Sequence, residues 1–157
     1  MTPAIQLAKK AGINFYVHEY THDPGHESYG LEAAQKMGVS PEQVFKTLVV
    51  ALDTKVLAVA IVPVDRQLSM KQIARAAGAR KATMAAAADV QRSTGYVLGG
   101  VSPLAQKKRL ATFIDESARQ FDAVFVSAGR RGLEIELKPE DLCQLTSGKF
   151  ALLAEAD

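Results

Sequence analysis

Val44-Phe45-Lys46-Thr47-Leu48-Val49-Val50 is the stretch on which the fold turns. It is apolar and rich in β-branched residues, and it reads as a strand. Asp53-Thr54-Lys55 follows as a tight connection, and Val56 to Val62 is a second apolar run that Pro63 ends. Two such runs around a short turn predict a β-hairpin. Both runs are apolar on both faces, which predicts central places in a covered sheet. One residue breaks the pattern. Lys46 stands at the entrance of the first strand, where desolvating an unpaired ammonium is costly. Either the strand begins at Thr47 and Lys46 lies in solvent at its lip, or the lysine is aimed into a cleft for a use.

Upstream, Ser40-Pro41-Glu42-Gln43 has the residues of a helix start, with Ser40 as cap, Pro41 in the first position and Gln43 completing a capping box. Lys46 then sits at a helix-to-strand junction. Leu31 to Met37 reads as a short helix closed by Gly38, and Thr21 to Gly30 as a loop marked by Asp23-Pro24-Gly25. Before the loop, Phe15 to Tyr20 alternates like a strand. Phe15, Val17 and Glu19 face one way; Tyr16, His18 and Tyr20 face the other. Thr2 and Pro3 start a helix that stops at Gly12. His18, His22 and His26 recur at a spacing of four. That spacing gathers metal ligands on a helix, not along a strand and a Pro/Gly loop. No metal site and no cofactor are expected.

Downstream, Ser69 caps a helix ending at Gly78, Lys81 to Met84 reads as a short strand, and Ala85 to Val90 as a helical turn or two. Gln91-Arg92-Ser93-Thr94-Gly95-Tyr96-Val97-Leu98-Gly99-Gly100-Val101-Ser102-Pro103 follows. Its glycines either let backbone approach something closely or simply serve a tight loop. The spacing is neither that of a Walker loop nor that of the dinucleotide fingerprint. Ala111 to Ile114 and Ala123 to Ser127 read as strands, with a short helix from Glu116 to Gln120 between them. Ala128-Gly129-Arg130-Arg131-Gly132 turns into Leu133 to Leu137, a second hairpin. There Leu133, Ile135 and Leu137 share one face and Glu134 and Glu136 the other. Pro139 opens a last helix, and Gly148 to Asp157 reads as a short helical tail. The sum is an α+β fold, one domain over residues 1–157, with a mixed and mainly antiparallel sheet.

Composition narrows the class. With 157 residues, 48% of them apolar, the chain can bury one sizeable core. No apolar run approaches the roughly 20 residues needed to span a bilayer. Met1-Thr2-Pro3-Ala4 carries no signal-peptide core, so a cytoplasmic location is expected. Cys143 is the only cysteine, which excludes an intrachain disulfide; beside Leu142 and Leu145 it reads as a packed thiol rather than a nucleophile. A net charge of +2 does not by itself indicate a nucleic-acid partner. Arg80-Lys81, Lys107-Lys108-Arg109 and Arg130-Arg131 are each either a solvated face or a phosphate contact.

Phe45-Lys46-Thr47-Leu48-Val49, Gln91-Arg92-Ser93-Thr94-Gly95-Tyr96, Gly99-Gly100-Val101-Ser102-Pro103 and Val126-Ser127-Ala128-Gly129-Arg130-Arg131-Gly132-Leu133-Glu134-Ile135 together resemble the YbaK/EbsC family. The similarity runs nearly end to end, from Thr2 to Phe150. That family is related to the editing domain inserted in bacterial prolyl-tRNA synthetases. The resemblance implies a partly barrel-like sheet surrounded by helices. It implies a trans-editing aminoacyl-tRNA deacylase that removes cysteine from mischarged Cys-tRNA(Pro), with Cys-tRNA(Cys) as a further substrate. The ligand would be the 3′ end and acceptor stem of aminoacyl-tRNA, and prolyl-tRNA synthetase the protein partner, with neither membrane nor DNA involved.

The resemblance also assigns residues. Lys46 matches the family's essential lysine, the expected catalytic residue, which holds the tRNA end near its 3′-terminal adenosine. A lysine suits this as a point charge that engages phosphate. Tyr20 and Thr47 match residues lining the same pocket. Tyr29 stands where the family commonly has phenylalanine and keeps the aromatic wall. Gly99 and Gly100 match the glycine loop that accommodates the aminoacyl group, and Ser127 matches a pocket hydroxyl. Glu134 stands where the family has aspartate, one methylene shorter. No Ser-His-Asp or Cys-His arrangement is evident in the chain itself. In the resembling family the substrate's own thiol attacks its ester carbonyl and leaves as cysteine thiolactone. Two alternatives stay open: hydrolytic editing of another mischarged tRNA such as Ala-tRNA(Pro), and a non-catalytic module that binds tRNA or the synthetase.

Overall fold

The opening stretch and its partner pair as a hairpin in the computed structural model, which describes residues 1–26 and 28–156. The strands are β1 (Phe15–Glu19), β2 (Phe45–Leu52), β3 (Val56–Pro63), β4 (Ala82–Met84), β5 (Ala111–Asp115), β6 (Val124–Arg130), β7 (Leu133–Leu137) and β8 (Lys149–Ala151). The helices are α1 (Pro3–Ala11), α2 (Tyr29–Met37), α3 (Met70–Ala77), α4 (Ala87–Thr94) and α5 (Pro139–Thr146), with 3₁₀ turns at Pro41–Gln43 and Glu116–Gln120. The fold is α+β, as the sequence implies.

β2 and β3 pair antiparallel without interruption from Phe45↔Pro63 to Leu52↔Val56. Asp53 and Thr54, at φ of 51° and 60°, make the reversal. The Asp53 carboxylate accepts hydrogen bonds from the N–H groups of Arg80 and Lys81 and so ties the turn to β4. The strands divide between two sheets. One has the order β4-β2-β3-β5-β8, with β5 parallel to β3 and β8 parallel to β5; the other is the antiparallel trio β1-β7-β6. A parallel bridge between Val44 and Phe125 joins the sheets at one corner, and neither sheet closes on itself.

β3 explains the layering. Val59 and Ile61 enter a core shared with Phe45, Val126 and Ile135, between the two sheets. Ala58, Ala60 and Val62 turn the other way, into a core capped by Ile73 of α3. All five β3 residues are fully buried, as the two-faced apolar reading requires. Full burial of each larger side chain contributes about 1.5–3 kcal/mol. The helix caps read at Thr2 and Ser69 also form, their hydroxyl oxygens accepting from the N–H groups of Ile5 and Gln72, and Ser28, expected only as a loop residue, caps α2 through the Leu31 N–H.

Several expectations give way. The tail is not helical: Lys149–Ala151 pairs with β5, and Leu153 and Ala154 donate their N–H groups to the buried Asp115 carboxylate. Asp115 supplied no periodic signal, but its two captured amides fix the chain end as extended. Asp157, the last residue of that tail, lies outside the described residues. Gln91 to Thr94 belong to α4 rather than to the glycine loop, because the Thr94 hydroxyl bonds back to the Val90 carbonyl and Gly95 ends the helix. Gln43 completes no capping box; its amide donates to the Ala123 carbonyl and links the 3₁₀ turn to the start of β6. α2 begins at Tyr29, two residues before the expected start. Along β1, Val17 is exposed and His18 half-buried, because β1 is an edge strand and its faces are not cleanly divided. Glu27, within the expected loop, lies outside the described residues.

Candidate functional site

The first half of β2 has β3 on one side only, because β4 reaches no further than Val50. Against that uncovered half lies a cavity of about 420 Å³. Val44 to Leu48 form one wall, the N-terminal turn of α2 a second, and the β6–β7 hairpin a third, where Ser127 and Glu134 are cross-strand partners. Leu98 and Gly99 close the rim. Tyr20, Tyr29, Lys46, Thr47, Gly99, Ser127 and Glu134, seven of the eight residues expected at the site, line this one cavity.

Gly100 does not line it. A side-chain carbon there would come within 2.7 Å of the Arg130 Cα, so this glycine is needed where two backbones touch. Gly99 does line it, at a φ of 92°, and its missing side chain leaves room for the Tyr29 ring; a Cβ would lie 2.8 Å from Tyr29 Cε2. The paired glycines thus have different tasks: Gly99 admits the aromatic wall and Gly100 seats the loop on the β6–β7 hairpin.

The polar groups differ in how far they are satisfied. Lys46 is half-buried. Burial pushes its ammonium pKa down, and Asp65 pulls only partly the other way. The Thr47 hydroxyl is buried and makes no hydrogen bond among the described residues. An orphaned hydroxyl on a cavity wall is a ready contact for a ligand. Ser127 Oγ accepts from the Gly129 N–H at 3.2 Å, which supports the bulge in β6 and leaves its own proton free to donate. The Tyr20 phenol is pushed up to about 12, first by burial and then by Glu134 and Glu32, so it stays a donor across the working range.

Glu134 is the most unusual of these groups. It is 7% exposed, and burial alone raises its carboxyl from 4.5 to about 8. At neutral pH it is mostly a neutral acid, able to donate one hydrogen bond and accept others.

The histidines stand outside the cavity. His18 Nε2 lies 2.8 Å from Glu136 Oε1, and His22 Nδ1 lies 2.7 Å from Glu32 Oε1. No group of three potential metal ligands occurs among the described residues. Cys143 lies on α5, packs against the core and donates to the Gly148 carbonyl, away from the site. The basic pair Arg130-Arg131 divides. Arg130 is exposed and only loosely paired with Glu19 at 3.8 Å, while Arg131 turns inward. Lys107 and Lys108 are exposed, and Arg109 donates to Ser147 Oγ. Sequence reasoning gave no site role to nine of the lining residues, Ser28, Ala33, Val64 and Val101 among them. Ser28 fell in the expected loop and is a helix cap in the fold; the other three are ordinary apolar residues whose sequence carries no chemical signal.

Known proteins resemble this chain over most of its length. A family model described as "Aminoacyl-tRNA editing domain" matches residues 24–145. A protein of Enterococcus faecalis (strain ATCC 700802 / V583), provisionally named Cys-tRNA(Pro)/Cys-tRNA(Cys) deacylase EbsC, is 35% identical over 150 residues, covering 96% of this chain and 91% of that protein. YwhH of Bacillus subtilis (strain 168), itself uncharacterized, is 28% identical over 118 residues, covering 75% of this chain and 74% of its own. Among solved structures, the hypothetical protein APE2540 superposes with a TM-score of 0.86 at 25% identity, covering 98% and 99% of the two chains. A candidate trans-editing enzyme for prolyl tRNA synthetase superposes with a TM-score of 0.84 at 24% identity, covering 99% of both, and shares the fold. A family match over most of the chain, and that identity to EbsC, place this chain in the aminoacyl-tRNA editing domain family, within its YbaK/EbsC group.

Proposed function

We propose that this aminoacyl-tRNA deacylase removes cysteine from Cys-tRNA(Pro), and from Cys-tRNA(Cys), by letting the substrate's own thiol do the attacking. One observation carries the reading. The cavity is lined by hydroxyls, a lysine and a carboxyl, with no imidazole or thiol among its lining residues. Ester cleavage by an enzyme nucleophile calls for a base hydrogen-bonded to it, and among the described residues neither the Thr47 nor the Ser127 hydroxyl is bonded to Lys46 or Glu134. A cysteinyl ester brings its own nucleophile.

The step balances without a further reagent. The substrate thiol gives up its proton, Sγ bonds to the ester carbonyl carbon, and the bond from that carbon to the ribose oxygen breaks. The ribose oxygen takes a proton and leaves as free tRNA, with cysteine thiolactone as the other product, which water then opens. The protein has to hold the cysteinyl group folded for attack and to stabilise developing charge. In this reading Lys46 engages the 3′-terminal nucleotide. Thr47, Ser127 and Tyr20 donate hydrogen bonds around the ester and amino group, and Tyr29 and Gly99 bound the aminoacyl space. Glu134 titrates near an ordinary thiol, so its ionised fraction accepts the thiol proton and the acid so formed returns it to the ribose oxygen. The EbsC name supports the choice of cysteinyl-tRNA, and the trans-editing relative supports association with prolyl-tRNA synthetase.

The test is a panel of Cys-, Ala- and Ser-tRNA(Pro), with capture of the released product by mass spectrometry. The expected result is loss of cysteine only, with thiolactone detected before free cysteine. Comparable loss of alanine, which has no thiol, overturns the cyclisation and points to a water-using editor of Ala-tRNA(Pro). Binding of all three without turnover leaves a tRNA-binding module.

A further inference from the structure

Arg131 was read in the sequence as part of an exposed basic cluster. Its surroundings show a different use. Its side chain leaves the turn of the β6–β7 hairpin and reaches across to the loop before α2. The guanidinium carbon lies 3.4 Å from the centroid of the Tyr29 ring, close enough for a cation–π stack. Nη2 donates to the His26 carbonyl at 3.0 Å and lies 3.7 Å from Glu32 Oε1.

Glu32 completes the arrangement. It sits in the first turn of α2 and is fully buried. Burial alone would raise its carboxyl, but the Asp23 N–H, His22 and Arg131 outweigh that and hold it below its ordinary value. Its Oε2 accepts from the Asp23 N–H at 2.7 Å, and Oε1 lies 2.7 Å from His22 Nδ1. The His22 ring meets the Tyr29 ring edge-on at 6.4 Å. One buried carboxylate therefore gathers the loop, and one arginine joins that gathered loop to the hairpin. The joined parts are two separate walls of the cavity: Tyr29 on one, Ser127 and Glu134 on the other.

We propose that Arg131 is a positioning residue, which with Glu32 as its anchor latches the Tyr29 wall to the hairpin bearing Ser127 and Glu134 and so fixes the width of the aminoacyl cavity. A planar guanidinium suits this task. It stacks on the ring and donates in its own plane, which an ammonium cannot do. The role in turnover rests on the reading that Tyr29 bounds the aminoacyl group; the latch itself does not.

The experiment has two arms on the full chain. In the first, hydrogen exchange of the substrate-free protein is followed over residues 20–32. Arg131→Met raises exchange there by about tenfold or more while β2–β3 stays protected, and Arg131→Lys gives an intermediate rise. In the second, single-turnover deacylation of Cys-tRNA(Pro) gives the KM-against-kcat split. Arg131→Met lowers kcat by about tenfold or more with KM within about twofold, because attack geometry is lost rather than tRNA affinity. Glu32→Gln falls in the same direction, and the double variant is no worse than Arg131→Met, since the two residues act as a unit. Wild-type exchange over 20–32 in Arg131→Met overturns the latch. Raised exchange with wild-type kcat overturns its positioning role. If Arg131→Met does not fold, Arg131→Lys and Glu32→Gln decide by the same readouts. If the wild-type protein deacylates no member of the panel, the editing reading falls, and the exchange arm decides the latch alone.

Discussion

The two hairpins that meet at the cavity are built to different rules. β2–β3 keeps one register along its whole length and buries side chains on both faces. β6–β7 slips between Ser127 and Arg130 and puts a carboxyl, Glu134, on a buried position with no salt-bridge partner among the described residues. The regular hairpin devotes its residues to packing. The irregular one gives up pairing and apolar burial at the positions where polar groups face the cavity. Bulges and buried polar groups of this kind collect where a chain must aim a side chain rather than pack it. Lys46 is the charged breach in the regular hairpin, next to the buried Thr47 hydroxyl, and it opens on the same cavity.

The strongest way to break this contrast is to remove that breach. Lys46→Ala is expected to lower kcat/KM for Cys-tRNA(Pro) by about 10²–10³-fold, the usual range for losing one charge-stabilising donor. The melting temperature should hold, because the ammonium is partly desolvated and its loss relieves burial rather than a contact. Single-turnover deacylation beside thermal melting checks both halves. A comparably active variant would sink the assignment of this cavity as the editing site.

Glu134→Gln sharpens the contrast by separating stability from function. The folded carboxyl titrates near 8 against 4.5 when unfolded. Below about pH 4.5 both states are protonated and burial carries no ionic penalty. As pH rises from 4.5 to 8 the unfolded state ionises and the folded state resists, so stability falls; above 8 the loss levels off. At pH 7 the penalty is about 3 kcal/mol. The neutral amide escapes it, so Glu134→Gln should melt higher than wild type at pH 7–9, equally at pH 4, and edit more slowly, by a margin that widens as pH rises toward 8. A melting difference that does not change with pH would show that the carboxyl is not the source.

How much of this was legible follows the same division. The β2–β3 hairpin could be read because period, turn residues and covered faces all agree, and β3 is buried as that reading requires. Lys46 could be read because it violates the run around it. The β8 tail could not, because its geometry is set by Asp115, 38 residues away from Leu153, and no local pattern records that capture. Gly100 and Gly99 are adjacent and identical in sequence; only the Arg130 backbone and the Tyr29 ring distinguish their tasks. Arg131 and Arg130 pose the same problem, since facing outward or inward depends on where Glu32 lies in the fold. Glu134 was reached through the family motif, and its raised carboxyl depends on burial that alternation alone assigned to the polar face.

The smallest effect tests the regular hairpin on its own ground. Thr54 reverses the chain at a φ of 60°, a conformation that is strained for a β-branched residue, and its hydroxyl does no more than reach the carbonyl of Asp53 at 2.7 Å. Thr54→Gly removes a strain of about 1 kcal/mol and should raise the melting temperature by roughly 2–4 °C. Because Asp53 keeps its carboxylate on Arg80 and Lys81, the register from Phe45 to Leu52 should not move. Deacylation should then be unchanged, since the turn lies at the far end of β2 from Lys46. If editing fell with a stabilised fold, the entrance of β2 would be coupled to its turn. The regular hairpin would then belong to the catalytic device rather than serving as the frame that holds it.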